Sequence, residues 1–232
     1  MVYDIFKKTN IGKGMDQSKY IVVEGAIGVG KTSLVHMLAE RLDAQTVLEK
    51  YERNPFLEEF YKDRKRHAFQ TQMFFLLSRY QQQNEFIQMD LFQQSVVSDY
   101  LFAKDKVFAQ LNLNENEYML YDKMYGLLDA NIPRPDLVIF LQAELDVVLK
   151  RARLRNHKYE KGLTSDYLDA LIKAYNDFFF YYNDTPLLII NTSEIDFVNK
   201  PDDFEKLVKE IQRSHRGTEY FAPLSSVDLP EG

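Results

Sequence analysis

Short β-branched, apolar runs recur at residues 20–23, 46–48, 95–98, 137–141 and 187–190, each bounded by polar or turn-forming residues. Runs that stay apolar instead of alternating suit parallel strands buried between two layers of helix. Helical periodicity fills the intervals. It covers residues 31–42, much of 54–94 (with a helix over 66–83) and 166–182, which Thr164 and Ser165 precede and Pro186 ends. Strand and helix in alternation predict a doubly wound parallel sheet of five strands flanked by helices, an α/β fold. Asn131-Ile-Pro-Arg-Pro-Asp136 reads as the turn leading into the fourth strand. Residues 1–19 read as an N-terminal extension and 20–215 as one domain. From 216 to 232 the periodicity fades, as in a tail.

Directly after the first strand comes Gly25-Ala-Ile-Gly-Val-Gly-Lys-Thr32. A strand, a glycine-rich loop and Lys-Thr opening a helix form a P-loop, whose backbone N–H groups curl around a chain of phosphates. Gly25, Ala26, Gly28, Val29 and Gly30 belong to that cradle. Lys31 adds a mobile positive charge for the terminal phosphates, and Thr32 offers its hydroxyl to Mg²⁺. The helix starting at Lys31 turns the positive end of its dipole toward the same anion. A glycine turn that merely joins strand to helix has no need of Lys31-Thr32.

Bulk properties narrow the ligand. A length of 232 residues suits one sizeable α/β domain. A net charge of -6 argues against a nucleic-acid polymer as the main ligand, whereas a small anion needs only a local positive cluster. The absence of cysteine excludes disulfides, thiolate metal sites and cysteine catalysis, and the four histidines lack metal-ligand spacing. No run has the length of a membrane span and residues 1–19 lack a secretory apolar stretch, so no membrane partner is expected and the default location is cytoplasmic.

Ligands in open α/β sheets bind at the carboxyl ends of the strands. Glu49 follows the second strand and Asp99 the third; there a carboxylate can take a proton from a hydroxyl or hold Mg²⁺ through water. Singly, each also fits a helix cap or a surface charge. Gln72, Leu76 and Arg79 share one helix face at i, i+4 and i+7, with Gln70 on another side. That face suits a base edge, and equally a solvated polar stripe. Arg151 and Arg155, four apart, share a face on which basic groups can close over a transferring phosphate or simply complement a helix C-terminus. Asn199-Lys-Pro-Asp202 matches a guanine-reading signature but lies several residues beyond the last strand; it reads as a helix start instead.

Taken together, these motifs resemble the deoxynucleoside kinases, the bacterial members above all, over about residues 20–211. The loop through Lys31-Thr-Ser33 matches the family. So do Glu49, at the place of its catalytic carboxylate, and Asn54-Pro-Phe-Leu after it, although Lys50 stands where a proline is usual. By resemblance, Tyr61 meets the sugar 3′-hydroxyl, Gln72 reads the base and Arg79 sits beside it. Asp99 and Asp105 match two acids six apart. Tyr100 occupies the place of an arginine, leaving open whether Lys104, Lys106 or Arg79 replaces that charge. Arg151, Arg153 and Arg155 resemble lid arginines (lid about 150–163), Asp166 the acid that meets the 3′-hydroxyl, and Ile195-Asp-Phe197 the loop under the adenine of ATP. The resemblance implies a P-loop kinase fold, a homodimer, and salvage chemistry: ATP with Mg²⁺ phosphorylating the 5′-hydroxyl of a deoxynucleoside. In that chemistry Glu49 is the base, Asp99 supports the metal or the attacking group, and Arg151 with its neighbours neutralises the moving phosphoryl group. The rivals are a thymidylate kinase-like monophosphate kinase and a nucleotide-dependent switch.

Overall fold

The computed structural model describes residues 19–88, 95–155 and 164–223. Six strands, β1 (Tyr20–Gly25), β2 (Gln45–Val47), β3 (Val96–Ser98), β4 (Leu137–Gln142), β5 (Leu187–Asn191) and β6 (Thr218–Phe221), form one sheet in the order β2-β3-β1-β4-β5-β6. Every neighbouring pair is parallel. The five expected strands are present with ends shifted by a residue or two. The sixth lies where a tail was expected, pairing with β5 from Leu187↔Thr218 to Ile190↔Phe221. Thr218 and Tyr220 face solvent while Glu219 and Phe221 are half-buried, so β6 is a short edge strand with no continuous apolar run.

The helices are α1 (Lys31–Leu42), α2 (Leu57–Lys62), α3 (Arg64–Gln88), α4 (Asp105–Asn112), α5 (Glu115–Asp129), α6 (Leu145–Arg155), α7 (Ser165–Phe180) and α8 (Pro201–Ile211). Residues alternate across the central strands with a period of two. Ile21, Val23, Ile139 and Leu141 pack against Leu34 and Leu38 of α1 and Leu207 and Ile211 of α8. Val22, Val138 and Phe140 point the other way, against Val107 of α4 and Leu171, Tyr175 and Phe179 of α7. Each such side chain contributes about 1.5–3 kcal/mol by leaving water, so the two helical layers hold the sheet. A third cluster, Leu76, Phe102, Ala109, Tyr121 and Tyr125, fixes α3 and α5 beside the end of β3.

β1 lies between β3 and β4. The chain leaves β1 for the far β2, returns to β3, then crosses β1 to reach β4. The direction of winding therefore reverses at the carboxyl end of β1, where a crevice opens. Asn199 caps its own turn by donating to Asp196 from its backbone N–H (3.1 Å) and its side chain (2.8 Å), and Pro201 opens α8. The Asn199–Asp202 segment is thus a helix start. No helix of the described residues is long and apolar enough to cross a membrane.

Candidate active site

The P-loop wraps the carboxyl end of β1 with backbone that side chains would obstruct. Gly25 has φ +150°, and a Cβ there would lie 2.6 Å from the carbonyl oxygen of Leu141. Gly30 has φ +111°, and its missing Cβ leaves room for the Phe197 ring at 3.0 Å. Ala26 and Val29 are buried beneath the loop and Ser33 is exposed. Lys31 donates from Nζ to the carbonyls of Gly25 (2.8 Å) and Ala26 (3.2 Å). Burial, then the charge of Lys104, pushes Lys31 down to about 8, against the opposing pull of Glu24, Asp99 and Glu49. An entering polyphosphate would favour the charged form again.

Asp99 links the loop to the second carboxylate. Its Oδ2 accepts from Thr32 Oγ1 at 3.1 Å and its Oδ1 from the backbone N–H of Glu49 at 2.7 Å. A hydroxyl and a carboxylate so close are hard oxygen donors of the kind Mg²⁺ takes together with phosphate oxygens. Glu49 itself is gripped from two sides. Arg79 donates to its Oε1 from Nε (2.8 Å) and Nη2, and Lys104 donates to its Oε2 at 3.0 Å. Burial alone would raise its pKa, but the charges and hydrogen bonds of Arg79 and Lys104 prevail and hold it at about 2.

Arg79 also donates to Asp105, which is fully buried. Gln72 gives Asp105 two bonds from Nε2, to its backbone oxygen (3.0 Å) and Oδ2 (2.7 Å), and Tyr121 adds its hydroxyl at 2.9 Å. Asp105, which the resemblance places near the base, is therefore an anchor behind the wall: it holds Gln72 and does not itself line the cavity. That cavity, about 140 Å³, is bounded by Gly28, Lys31 and Thr32 at one end and by Glu49, Asp99, Gln72 and Arg79 along its side. Tyr61 lines it too, with Tyr51, Phe60, Phe75, Phe108 and Tyr167 as aromatic walls. Gln70 bonds His67 instead, so the helix-face arithmetic separates the two glutamines.

Other expected residues sit elsewhere. Asp166 is exposed in the first turn of α7 and does not line the cavity, whereas its neighbour Tyr167 does. Arg151 is clamped: Nη1 donates to Val29 O and Thr192 Oγ1 (both 3.1 Å), Nη2 to the carbonyls of Thr192 (2.9 Å) and Ile195 (3.1 Å). It ties α6 to the P-loop and the β5–α8 connection and does not line the cavity. Phe197 is buried under Gly30, leaving Asp196 as the partly exposed member of that loop. The side chains of Arg153 and Arg155 lie outside the described residues.

Sequence reading missed Glu24, Tyr121 and Tyr167. Glu24 is fully buried, accepts from the backbone N–H of Leu101 at 2.6 Å and pairs with Lys104 at 3.1 Å. A charged residue inside an apolar strand was its signal. Lys106 pairs with Asp122 at 3.7 Å and stacks over Tyr125, away from the carboxylates; Lys104 and Arg79 are the cations that reach Glu49.

A triphosphate-type cradle beside an aromatic cavity has counterparts among known proteins. The deoxynucleoside kinase family profile matches residues 21–215. A deoxyguanosine kinase of Bacillus subtilis is 32% identical over 206 residues, covering 85% of this chain and 98% of its own. A deoxyadenosine kinase of Dictyostelium discoideum is 35% identical over 213 residues, covering 89% and 84%. The solved structure of deoxyadenosine kinase from M. mycoides with bound dCTP has the same fold, with TM-score 0.71 and 23% identity over 83% of this chain and 98% of that one. The chain belongs to the deoxynucleoside kinase family: it is a phosphotransferase whose acceptor is the alcohol of a deoxynucleoside.

Proposed function

We propose that the chain transfers the γ-phosphoryl group of ATP to the 5′-hydroxyl of a deoxynucleoside lodged in the aromatic cavity, with Glu49 as the group that receives the hydroxyl proton. One observation carries this reading: Lys31, Thr32, Asp99, Glu49 and Gln72 bound the same cavity, so a donor phosphate and a sugar alcohol can meet there. Thr32 with Asp99 would hold Mg²⁺, which would supply charge neutralisation at the phosphates. Asp196 borders the region proposed for adenine, and the proposed reaction draws on the cytoplasmic ATP pool. A carboxylate held at about 2 is a weak base. Glu49 is therefore expected to orient the hydroxyl and accept its proton late, as suits a loose phosphoryl-transfer transition state. Tyr61, on the same wall, is the candidate for the 3′-hydroxyl.

Both amide hydrogens of Gln72 go to Asp105, so its remaining capacity is that of an acceptor. A donor on the base edge, an exocyclic amino group or a ring N–H, satisfies it. The test is transfer of labelled γ-phosphate from ATP to each deoxynucleoside and to its 5′-monophosphate. Product is expected from the nucleosides. Product from the monophosphates alone would install the monophosphate kinase reading, and binding without any product the switch.

The proposed assembly is a homodimer. Met119, Leu120 and Leu127 of α5 and Leu77 of neighbouring α3 are exposed apolar side chains, as a face covered by a second copy would present. Light scattering should then return about twice 27.4 kDa, and a mass of one chain would exclude it.

A further inference from the structure

Lys104 is a buried lysine that the reaction, as described so far, does not use. It is 2% exposed, does not line the cavity, and reaches Glu49 from behind. Its Nζ lies 3.0 Å from Oε2 of Glu49 and 3.1 Å from Oε1 of Glu24. Glu24, at the end of β1, also accepts the backbone N–H of Leu101 (2.6 Å) and of Gly25 (3.1 Å). One lysine thus couples the strand before the P-loop, the segment after Asp99 and the proposed base. Tyr100, four residues earlier, is buried and supplies no charge.

We propose that Lys104 is a positioning residue for phosphoryl transfer: its ammonium, itself anchored by Glu24, holds Oε2 of Glu49 and so fixes the carboxylate at the cavity wall. This rests on the reading of Glu49 given above. The argument is one of geometry and access. Arg79 stands on the cavity wall and already divides its donors between Glu49 and Asp105, so a ligand competes for it directly. Lys104 stands behind the wall, where a ligand does not compete. It keeps its charge despite burial, because Glu24 and Glu49 outweigh desolvation and raise its pKa. Buried charges persist when paired in this way, and removing one partner is strongly destabilising.

The charged groups around Glu49 are Arg79 from α3, Lys104 from the turn before α4, Lys31 from the loop, Asp99 at its backbone N–H, and Glu24 beyond Lys104.

Lys104→Met would leave Glu24 buried and unpaired, so the decisive comparison is E24Q against E24Q/K104M, both checked for native circular dichroism and melting. Relative to E24Q, the double variant should lose about 100-fold in kcat, the cost of misplacing a reacting group by about an ångström. Its nucleoside KM should stay within about threefold, the pattern of an interaction that matters in the transition state. A double variant with the kcat of E24Q overturns the proposal. So does a rise in nucleoside KM that matches the fall in kcat, which would make Lys104 a packing residue alone. If wild type itself phosphorylates no deoxynucleoside, the underlying reading fails instead, and the two failures are thereby distinct.

Discussion

Replacing Glu49 by glutamine should lower kcat by about 1,000-fold while leaving the nucleoside KM within about threefold. Glutamine has the carboxylate's shape and one acceptor oxygen, so Arg79 still finds a partner at the cavity wall. It cannot take a proton, and its NH₂ group offers Lys104 nothing to donate to. The isosteric change keeps the shape of the cavity wall, hence the small effect on binding. Steady-state kinetics with saturating ATP across a nucleoside series would measure both constants. A variant that turns over at the wild-type rate would remove Glu49 from the mechanism. A variant with normal kcat and a greatly raised KM would make it a binding group only.

The second large effect is expected at a residue outside the cavity. Asp105→Ala removes the anion that holds Arg79, Gln72 and Tyr121. Breaking a buried, hydrogen-bonded pair by deleting one partner costs about 3–5 kcal/mol. For a chain of this length that corresponds to a fall of roughly 10 °C in melting temperature. The catalytic signature should differ from that of Glu49→Gln. Gln72 and Arg79 lose their fixed orientation at the wall, so the nucleoside KM should rise about tenfold or more, and discrimination among bases should blur. Differential scanning calorimetry and the nucleoside series read the two effects separately. Unchanged melting would show that the pair contributes nothing net, and unchanged selectivity would detach Asp105 from base reading.

Much of this was legible because the relevant signals are local. The P-loop needs particular residues side by side, so Gly25, Gly30, Lys31 and Thr32 announce it without reference to the rest of the chain. The central strands are buried on both faces, which leaves unbroken apolar runs such as 137–141. Gln72 and Arg79 share a wall because seven residues return to the same side of a helix. The ion-pair web was hidden, since Glu24, Glu49, Arg79 and the adjacent pair Lys104-Asp105 come from four separate segments of the chain. The aromatic walls, Tyr51, Phe60, Phe75, Phe108 and Tyr167, are scattered along the chain in the same way. β6 escaped notice because four half-exposed residues carry too short an alternation to stand out from a tail. Gly217 just before Thr218, with Tyr220-Phe221 following, was the faint cue.

Asp99 has one further consequence. With one oxygen on Thr32 and the other on the peptide of Glu49, it would span the proposed donor and acceptor halves of the cavity like a spacer of fixed width. The gap that a phosphoryl group must cross is then a property of the scaffold and not of the guest. Substitutions at the far end, around Gln72 and Phe75, can retune which nucleoside fits while the reacting distance stays the same. Such a division of labour lets one framework serve relatives that differ in their preferred base.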